Sequence, residues 1–299
     1  MKRLAQFILW FLIPLLAIIF VLLCITGPLS SLVYRPHLPE QKHRLMVGNS
    51  HPECALMEGE EWPWINLGKS GECYYYSFPK VKWLIENNPQ IEEVWIDLSP
   101  NQFMPHMHEW IHDEEHVQRA FLSYAHLLDF SWNVDALSSF PQLTLSTKME
   151  QMQRFLGAMI KPNWELNRED LKWGGFKKLM GNKESFENPD HQGGALQPDP
   201  ENWKAIKEFC DWARDHQIEV HAIVCPHFTK ETNDDTENKV FQFCQSNELA
   251  ISHYHKIKFP SSNQPLFYDD SHLNQNGALI YSTIIKSLCD SLSHQKALH

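Results

Sequence analysis

From Leu45 to Leu292 short apolar runs alternate with stretches of helical periodicity, and this alternation restricts the possible folds more than any other feature of the chain. Leu45-Met46-Val47 runs into Gly48. Tyr74, Phe78, Val81, Leu84 and Ile85 then recur at helical spacing until Asn87-Asn88-Pro89 stops them. Val94-Trp95-Ile96-Asp97-Leu98 reads as the next strand. A helix around Trp203, Ile206, Phe209, Cys210 and Ala213 leads into a strand from Ile218 to Val224, closed by Pro226. Helix and strand alternate again from Val240 to Ile251, and Leu279, Ile280, Ile284, Leu288 and Leu292 build a last helix. The pattern predicts an α/β fold in which helices cover both faces of a parallel sheet, with ligands at the carboxyl ends of the strands.

Two segments depart from this rhythm. Residues 103–198 are rich in Trp, His and Met and carry no clear strand, so they read as a helical insertion beside the site. Phe7 to Thr26 carries no charge, and about 20 apolar residues suffice to cross a bilayer core. The run is too long for a signal-peptide core and lacks small residues at a cut site, which favours an uncleaved anchor. Lys2 and Arg3 before it place the N-terminus in the cytoplasm and the remainder outside, although Arg35, Lys42 and Arg44 on the far side oppose that bias. The expected organisation is an anchor over 1–34, a linker over 35–43 and an α/β domain over 44–299. A net charge of -11 leaves no basic footprint for nucleic acid.

The chemistry-bearing residues lie where strands end. Gly48-Asn49-Ser50-His51 follows the first strand, Asn66-Leu67-Gly68-Lys69-Ser70-Gly71 a second and Ser99-Pro100-Asn101 a third. Asp269-Asp270-Ser271-His272 stands just before the last helix. A hydroxyl is a poor nucleophile at neutral pH. It needs a base to take its proton and a third group to fix the base's tautomer, and serine, histidine and aspartate supply these roles. Taken singly, the same residues also suit helix caps and turns: Ser50 after a strand, Asn101 in a turn, and Asp269 or Asp270 capping the final helix.

In order and spacing these four blocks resemble those of the SGNH (GDSL-like) hydrolases, over most of the chain from Arg44 onward except the insertion. The resemblance implies a flavodoxin-like three-layer sandwich and ester chemistry. It also implies Ser50 as nucleophile, His272 as base and Asp269 as its orienting carboxylate. The oxyanion donors would be the backbone N–H groups of Ser50 and Gly71 and the side-chain amide of Asn101, with Gly68 the alternative glycine. No metal or other cofactor is implied. Membrane-tethered relatives act on O-acyl groups of envelope or exported polysaccharides, so the expected partners are an acylated glycan, the cytoplasmic membrane and other envelope assembly proteins. The expected location is a single pass with the catalytic domain on the extracytoplasmic side. Asn49 stands where the family usually has aspartate, and Gln102 departs from the fuller third block in the same way. The hydrogen-bond network behind Ser50 is therefore neutral, which leaves a catalytically silent glycan-binding or assembly subunit as the second reading.

Other constellations are weaker. His108, His112 and His116 share one face if a single helix carries them, an arrangement that suits a metal or, more simply, a solvated polar face. Of seven cysteines Cys24 lies in the apolar run. The other six read either as pairs in an exported domain, Cys54 with Cys73 first, or as separate buried thiols.

Overall fold

The computed structural model describes residues 2–33, 37–124, 127–128, 130–160, 173–182, 196–228 and 236–297. It divides into two compact units, one comprising Met1–His37 with Glu114–Lys172 and the other Leu38–Asp113 with Trp173–His299.

The larger unit is an α/β domain. Strands β1 (Arg44–Val47), β2 (Trp64–Asn66), β3 (Glu93–Asp97), β4 (Glu219–Ile223) and β5 (His253–Tyr254) form a single parallel sheet in the order β2-β1-β3-β4-β5. The order reverses between β1 and β3, the kind of switch point at which open parallel sheets leave a crevice beyond their carboxyl ends. β1, β2 and β3 are buried at every residue. That is why they read as continuous apolar runs rather than alternating ones. On one face Met46, Trp95 and Ile223 join Ala55 of α2 (Ser50–Ala55) and Tyr281, Ile285 and Cys289 of the last helix in one core cluster. Elsewhere α3 (Tyr74–Asn87) packs on β1, and its Phe78 stacks on Phe209 of α8 (Pro200–Asp215) with ring centroids 4.2 Å apart. α4 (Met107–His112), α9 (Thr236–Ser246) and α10 (Gln275–Ala297) are further helices of this unit among the described residues.

The helix caps follow local chemistry. Asp199 accepts hydrogen bonds from the backbone of Glu201 and Asn202 at the start of α8, with Pro200 at the first helical position. At the start of α10 the cap is Asn274, whose Oδ1 accepts from Asn276 and Gly277. Asp269 and Asp270 therefore do not serve there, which frees Asp269 for another partner. β5 falls two residues beyond the expected Ile251. It reads His-Tyr and sits at the sheet's edge, where one apolar face suffices.

The smaller unit contains α1 (Lys2–Val33), α5 (Glu114–Tyr124), α6 (Phe130–Ser139) and α7 (Pro141–Ile160), with α1 lying along α6 and α7. Thr144, Thr147, Lys148 and Gln151 form a buried polar stripe at helical spacing along α7. The expected insertion over 103–198 thus has its compact part at residues 114–172, grouped with the N-terminal helix. Along α1 the side chains of Phe7, Trp10, Phe11, Ile13 and Leu16 are largely exposed. Among the described residues no helix is long and apolar enough to cross a membrane. The continuous stretch of described side chains in α1, residues 6–21, covers only about 24 Å at 1.5 Å per residue.

The histidine stripe is not one helix. α4 ends at His112, Asp113 is extended with ψ 137°, and α5 begins at Glu114. His108 and His112 instead face the carboxylates of Asp199 and Glu201, at 3.1 and 2.9 Å. Of the two readings of the cysteines, separate buried thiols is the one observed. All seven are free thiols, and the six in the α/β unit are buried separately.

Candidate active site

Three residues distant in sequence meet beyond the carboxyl edge of the sheet. His272 Nε2 lies 2.8 Å from Ser50 Oγ, and His272 Nδ1 lies 2.8 Å from Asp269 Oδ1. The same carboxylate oxygen accepts the backbone N–H of Ser271 at 3.0 Å and of His272 at 2.8 Å. Burial alone would raise the Asp269 carboxyl, but the His272 ring and the two backbone donors outweigh it and bring it down to about 2. An ionised Asp269 requires a hydrogen on His272 Nδ1. Nε2 then carries the lone pair that faces Ser50, which is the tautomer a general base needs. The Asp269–His272 turn is held by Tyr268 N–H donating to His272 O and by Phe228 N–H donating to Asp270 O.

Ser50 opens α2 two residues after Gly48. A Cβ on Gly48 would stand 2.7 Å from Pro52 Cγ and 2.9 Å from Asp97 Cβ, so only glycine lets the chain turn this tightly between β1 and α2. Asn49 caps α2 by accepting His51 N–H at its Oδ1. That bond fixes which end of the amide is oxygen. The opposite end, Nδ2, donates to Asn101 Oδ1 at 3.0 Å. Asn101 is thereby fixed in turn: its oxygen is taken, and its Nδ2 is the end presented to another acceptor. The position where the family pattern has aspartate thus orients the amide of the third block, a role a carboxylate cannot fill because it has no hydrogen to give.

The loop after β2 is tied to the same place. Lys69 N–H donates to Gly48 O, and Gln102, next to Asn101, donates from Nε2 to Glu72 O, next to Gly71. Gly71 adopts φ +73°, a left-handed conformation that L side chains resist, and a Cβ there would meet nothing within 4 Å. Gly68, the alternative glycine, has its N–H committed to Asn66 Oδ1 at 2.8 Å. Behind the loop the buried Lys80 ammonium pairs with Glu72 at 2.7 Å and donates to the carbonyl of Trp173. Gln102 is likewise a structural crosslink, buried and accepting from Asn202.

One chain of residues beside the site escapes motif reading. His51 Nδ1 lies 2.5 Å from Ser99 Oγ, Ser99 Oγ donates to Asp97 Oδ2, and Cys225 N–H donates to Asp97 Oδ1 at 2.7 Å. The His51 ring is 5.5 Å from that of His272. Burial pushes the Asp97 carboxyl up to about 6, and the bonds from Ser99 and Cys225 offset only part of that. The available signal was Asp97 at the end of an apolar strand two residues before Ser99, a position where a carboxylate must find partners.

No protein-family model, no curated protein and no solved structure matches this chain.

Proposed function

We propose that the chain is a serine esterase or O-acyltransferase of the SGNH type, with a flavodoxin-like three-layer domain. Its substrates are acyl esters, acetyl esters foremost, of an envelope or exported glycan. The observation that carries this reading is the unbroken line Asp269 Oδ1, His272 Nδ1, His272 Nε2, Ser50 Oγ, with 2.8 Å at each end. The strand order β2-β1-β3-β4-β5 agrees with the flavodoxin type. The glycan and its acyl group come from the family resemblance, whereas α1 as a single membrane span with the α/β domain outside comes from the uncharged run Phe7 to Thr26 and from Lys2 and Arg3 before it. The outward apolar side chains of α1 support a lipid environment, because water solvates such a surface poorly.

In this mechanism Ser50 Oγ attacks the ester carbonyl while His272 Nε2 takes its proton, and Asp269 stabilises the imidazolium without being protonated. The developing oxyanion is met by Asn101 Nδ2 and by the backbone N–H groups of Ser50 and Gly71. Collapse expels the alcohol, which takes the proton from His272 and leaves an acyl group on Ser50. Water or a sugar hydroxyl then gives its proton to His272 and attacks the acyl carbon, and the proton returns to Ser50 as the acyl group departs.

The test is labelling of the full chain by a fluorophosphonate, alongside hydrolysis of a short-chain acyl ester. Wild type is expected to label and turn over, and Ser50→Ala to lose both while keeping its far-ultraviolet circular dichroism. Absence of labelling in a folded wild type would favour the silent glycan-binding subunit. Equal labelling of the two chains would remove Ser50 from the mechanism.

A further inference from the structure

Trp95, His221 and His253 are adjacent across β3, β4 and β5 in the parallel register, on the amino side of the triad-bearing loops. His221 and His255 are joined nitrogen to nitrogen at 2.9 Å with their ring planes 10° apart, so the two imidazoles form one nearly flat pair. That pair lies on the indole of Trp95, with centroids at 4.6 and 4.9 Å and planes tilted by 6° and 13°. Trp95 is anchored in turn by its indole N–H, which donates to Glu93 Oε2 at 3.2 Å. Neither imidazole is free to rotate. His221 Nε2 points at Glu219 Oε2, 3.3 Å away, and has Glu93 Oε2 at 3.9 Å. The more exposed His253 ring lies 4.9 Å from that of His221.

We propose that Glu219, His221 and His253 form a binding site for a divalent transition-metal ion of the zinc class, with His255 as the hydrogen-bond partner that sets the tautomer of His221. One donor atom from each of the three residues falls within 4.8 Å of the others. A tetrahedral ion with bonds of about 2.0–2.1 Å separates neighbouring ligand atoms by roughly 3.3–3.4 Å. The Glu219–His221 edge already has that length, and His253 closes the remainder by a side-chain rotation. Two imidazoles and one carboxylate suit zinc and its neighbours, whereas calcium and magnesium prefer oxygen alone. Three protein ligands leave a position for water or for Glu93.

Without an ion, His221 Nε2–H donates to Glu219, and His221 Nδ1 accepts from His255. On binding, His255 passes its Nε2 hydrogen to His221 Nδ1, His221 Nε2 releases its own hydrogen to solvent and offers the lone pair to the ion, and His255 Nδ1 takes up a hydrogen. No net proton is gained or lost by the pair. His255 becomes the outer partner that metal-bound histidines regularly have.

A cation already serves these carboxylates. Lys296 Nζ, near the end of α10, lies 2.9 Å from Glu219 Oε2 and 2.9 Å from Glu93 Oε1. Because Glu219 Oε2 is the oxygen the metal needs, the ammonium competes with the ion. It has room to withdraw, since its side chain is 42 % exposed. The site does not depend on the esterase reading.

The experiment is calorimetric titration of the full chain in detergent with zinc sulfate, and in parallel with cobalt(II), whose visible absorption reports tetrahedral coordination. One equivalent is expected to bind with a tetrahedral cobalt spectrum. His253→Ala, a change at an exposed ring, should weaken binding at least about tenfold, and Lys296→Met should tighten it. If the wild type binds no ion, or His253→Ala binds as well as wild type, the site is refuted. A Lys296→Met chain with unaltered affinity refutes the competition and with it the assignment of Glu219 Oε2. Thermal melting of each variant confirms that the chains compared are folded.

Discussion

Two of the carboxylate–imidazole pairs of the α/β unit belong to the sheet and its loops, one beyond the carboxyl edge and one within the amino half, and the surroundings give these two opposite characters. At the carboxyl edge Asp269 and His272 stand on a loop, partly open to solvent, with a hydroxyl 2.8 Å beyond. The His272 ring and two backbone donors hold Asp269 ionised, which leaves the lone pair of His272 Nε2 facing Ser50 Oγ. In the amino half His221 lies flat on Trp95 among Glu93, Glu219 and Lys296, and burial holds it below the ordinary imidazole range. Among the described residues its two ring nitrogens face His255 and Glu219 rather than a hydroxyl. A carboxylate–imidazole contact therefore suits base catalysis only where a nucleophile shares the site.

The sharpest way to break this contrast is to remove each imidazole. His272→Ala is expected to lower Ser50-dependent ester hydrolysis by roughly 10³-fold or more, with an unchanged melting temperature. His221→Ala should act on stability instead. It uncovers Trp95 and leaves Glu219 Oε2 and His255 Nε2 without their ring partner, at a cost of about 2–4 kcal/mol in chemical unfolding. Should His221→Ala lose turnover in a chain of wild-type stability, the two regions are coupled and the contrast fails.

Asp97 offers the next test, because it lies in β3 between the two regions. Its carboxyl is raised from the ordinary 3.8 to about 6 by burial. A raised carboxyl contributes stability that is fully present below pH 4 and is lost as pH rises through 6. The size is on the order of 3 kcal/mol at most. Asp97→Asn keeps the acceptor for Cys225 N–H and removes the titration, so its unfolding midpoint in urea should vary less than that of wild type between pH 4 and pH 7. Asp269 and Glu93, both lowered to about 2, work in the opposite sense and below this window. Their stabilisation is present above pH 4 and lost as pH falls towards 2. A wild-type curve as flat as that of Asp97→Asn would mean that Asp97 ionises freely.

How far each feature could be read from the sequence depended on how local its cause is. The strand ends, Gly48, Ser50 and the Asp269–His272 pair are fixed by residues within a few positions of each other, and their order along the chain announced the site. The cap of α10 was ambiguous because Asp269, Asp270 and Asn274 are equivalent cap formers by type. Only the backbone decides that Asn274 has the helical neighbours. The histidine stripe failed at one residue: periodicity counts positions, and it does not register that Asp113 leaves the helix. The Trp95–His221–His255 stack was invisible because its members come from β3, β4 and the segment after β5. His221 looks like one polar interruption in an apolar strand, and two-residue β5 carries no pattern at all.

Asn49 shows the same limit at the smallest scale, and gives the last prediction. From residue types alone, Asn49→Asp supplies the acid usual at this position in the SGNH pattern that the chain resembles, and should retain or raise activity. The hydrogen-bond directions reverse that expectation. Aspartate still accepts His51 N–H and caps α2, so the fold is preserved, but its second oxygen now faces Asn101 Oδ1, acceptor against acceptor. Asn101 relieves the clash by turning its Nδ2 towards residue 49, which withdraws that donor from the oxyanion. The expected loss is about 10²-fold in kcat, in the range measured for removal of one such donor elsewhere. Asn101→Ala should lose a similar factor, and the double variant no more than either single, because both changes remove the same hydrogen bond. Additive losses, or an Asn49→Asp chain at least as active as wild type, would show that Asn101 is aimed by something other than Asn49.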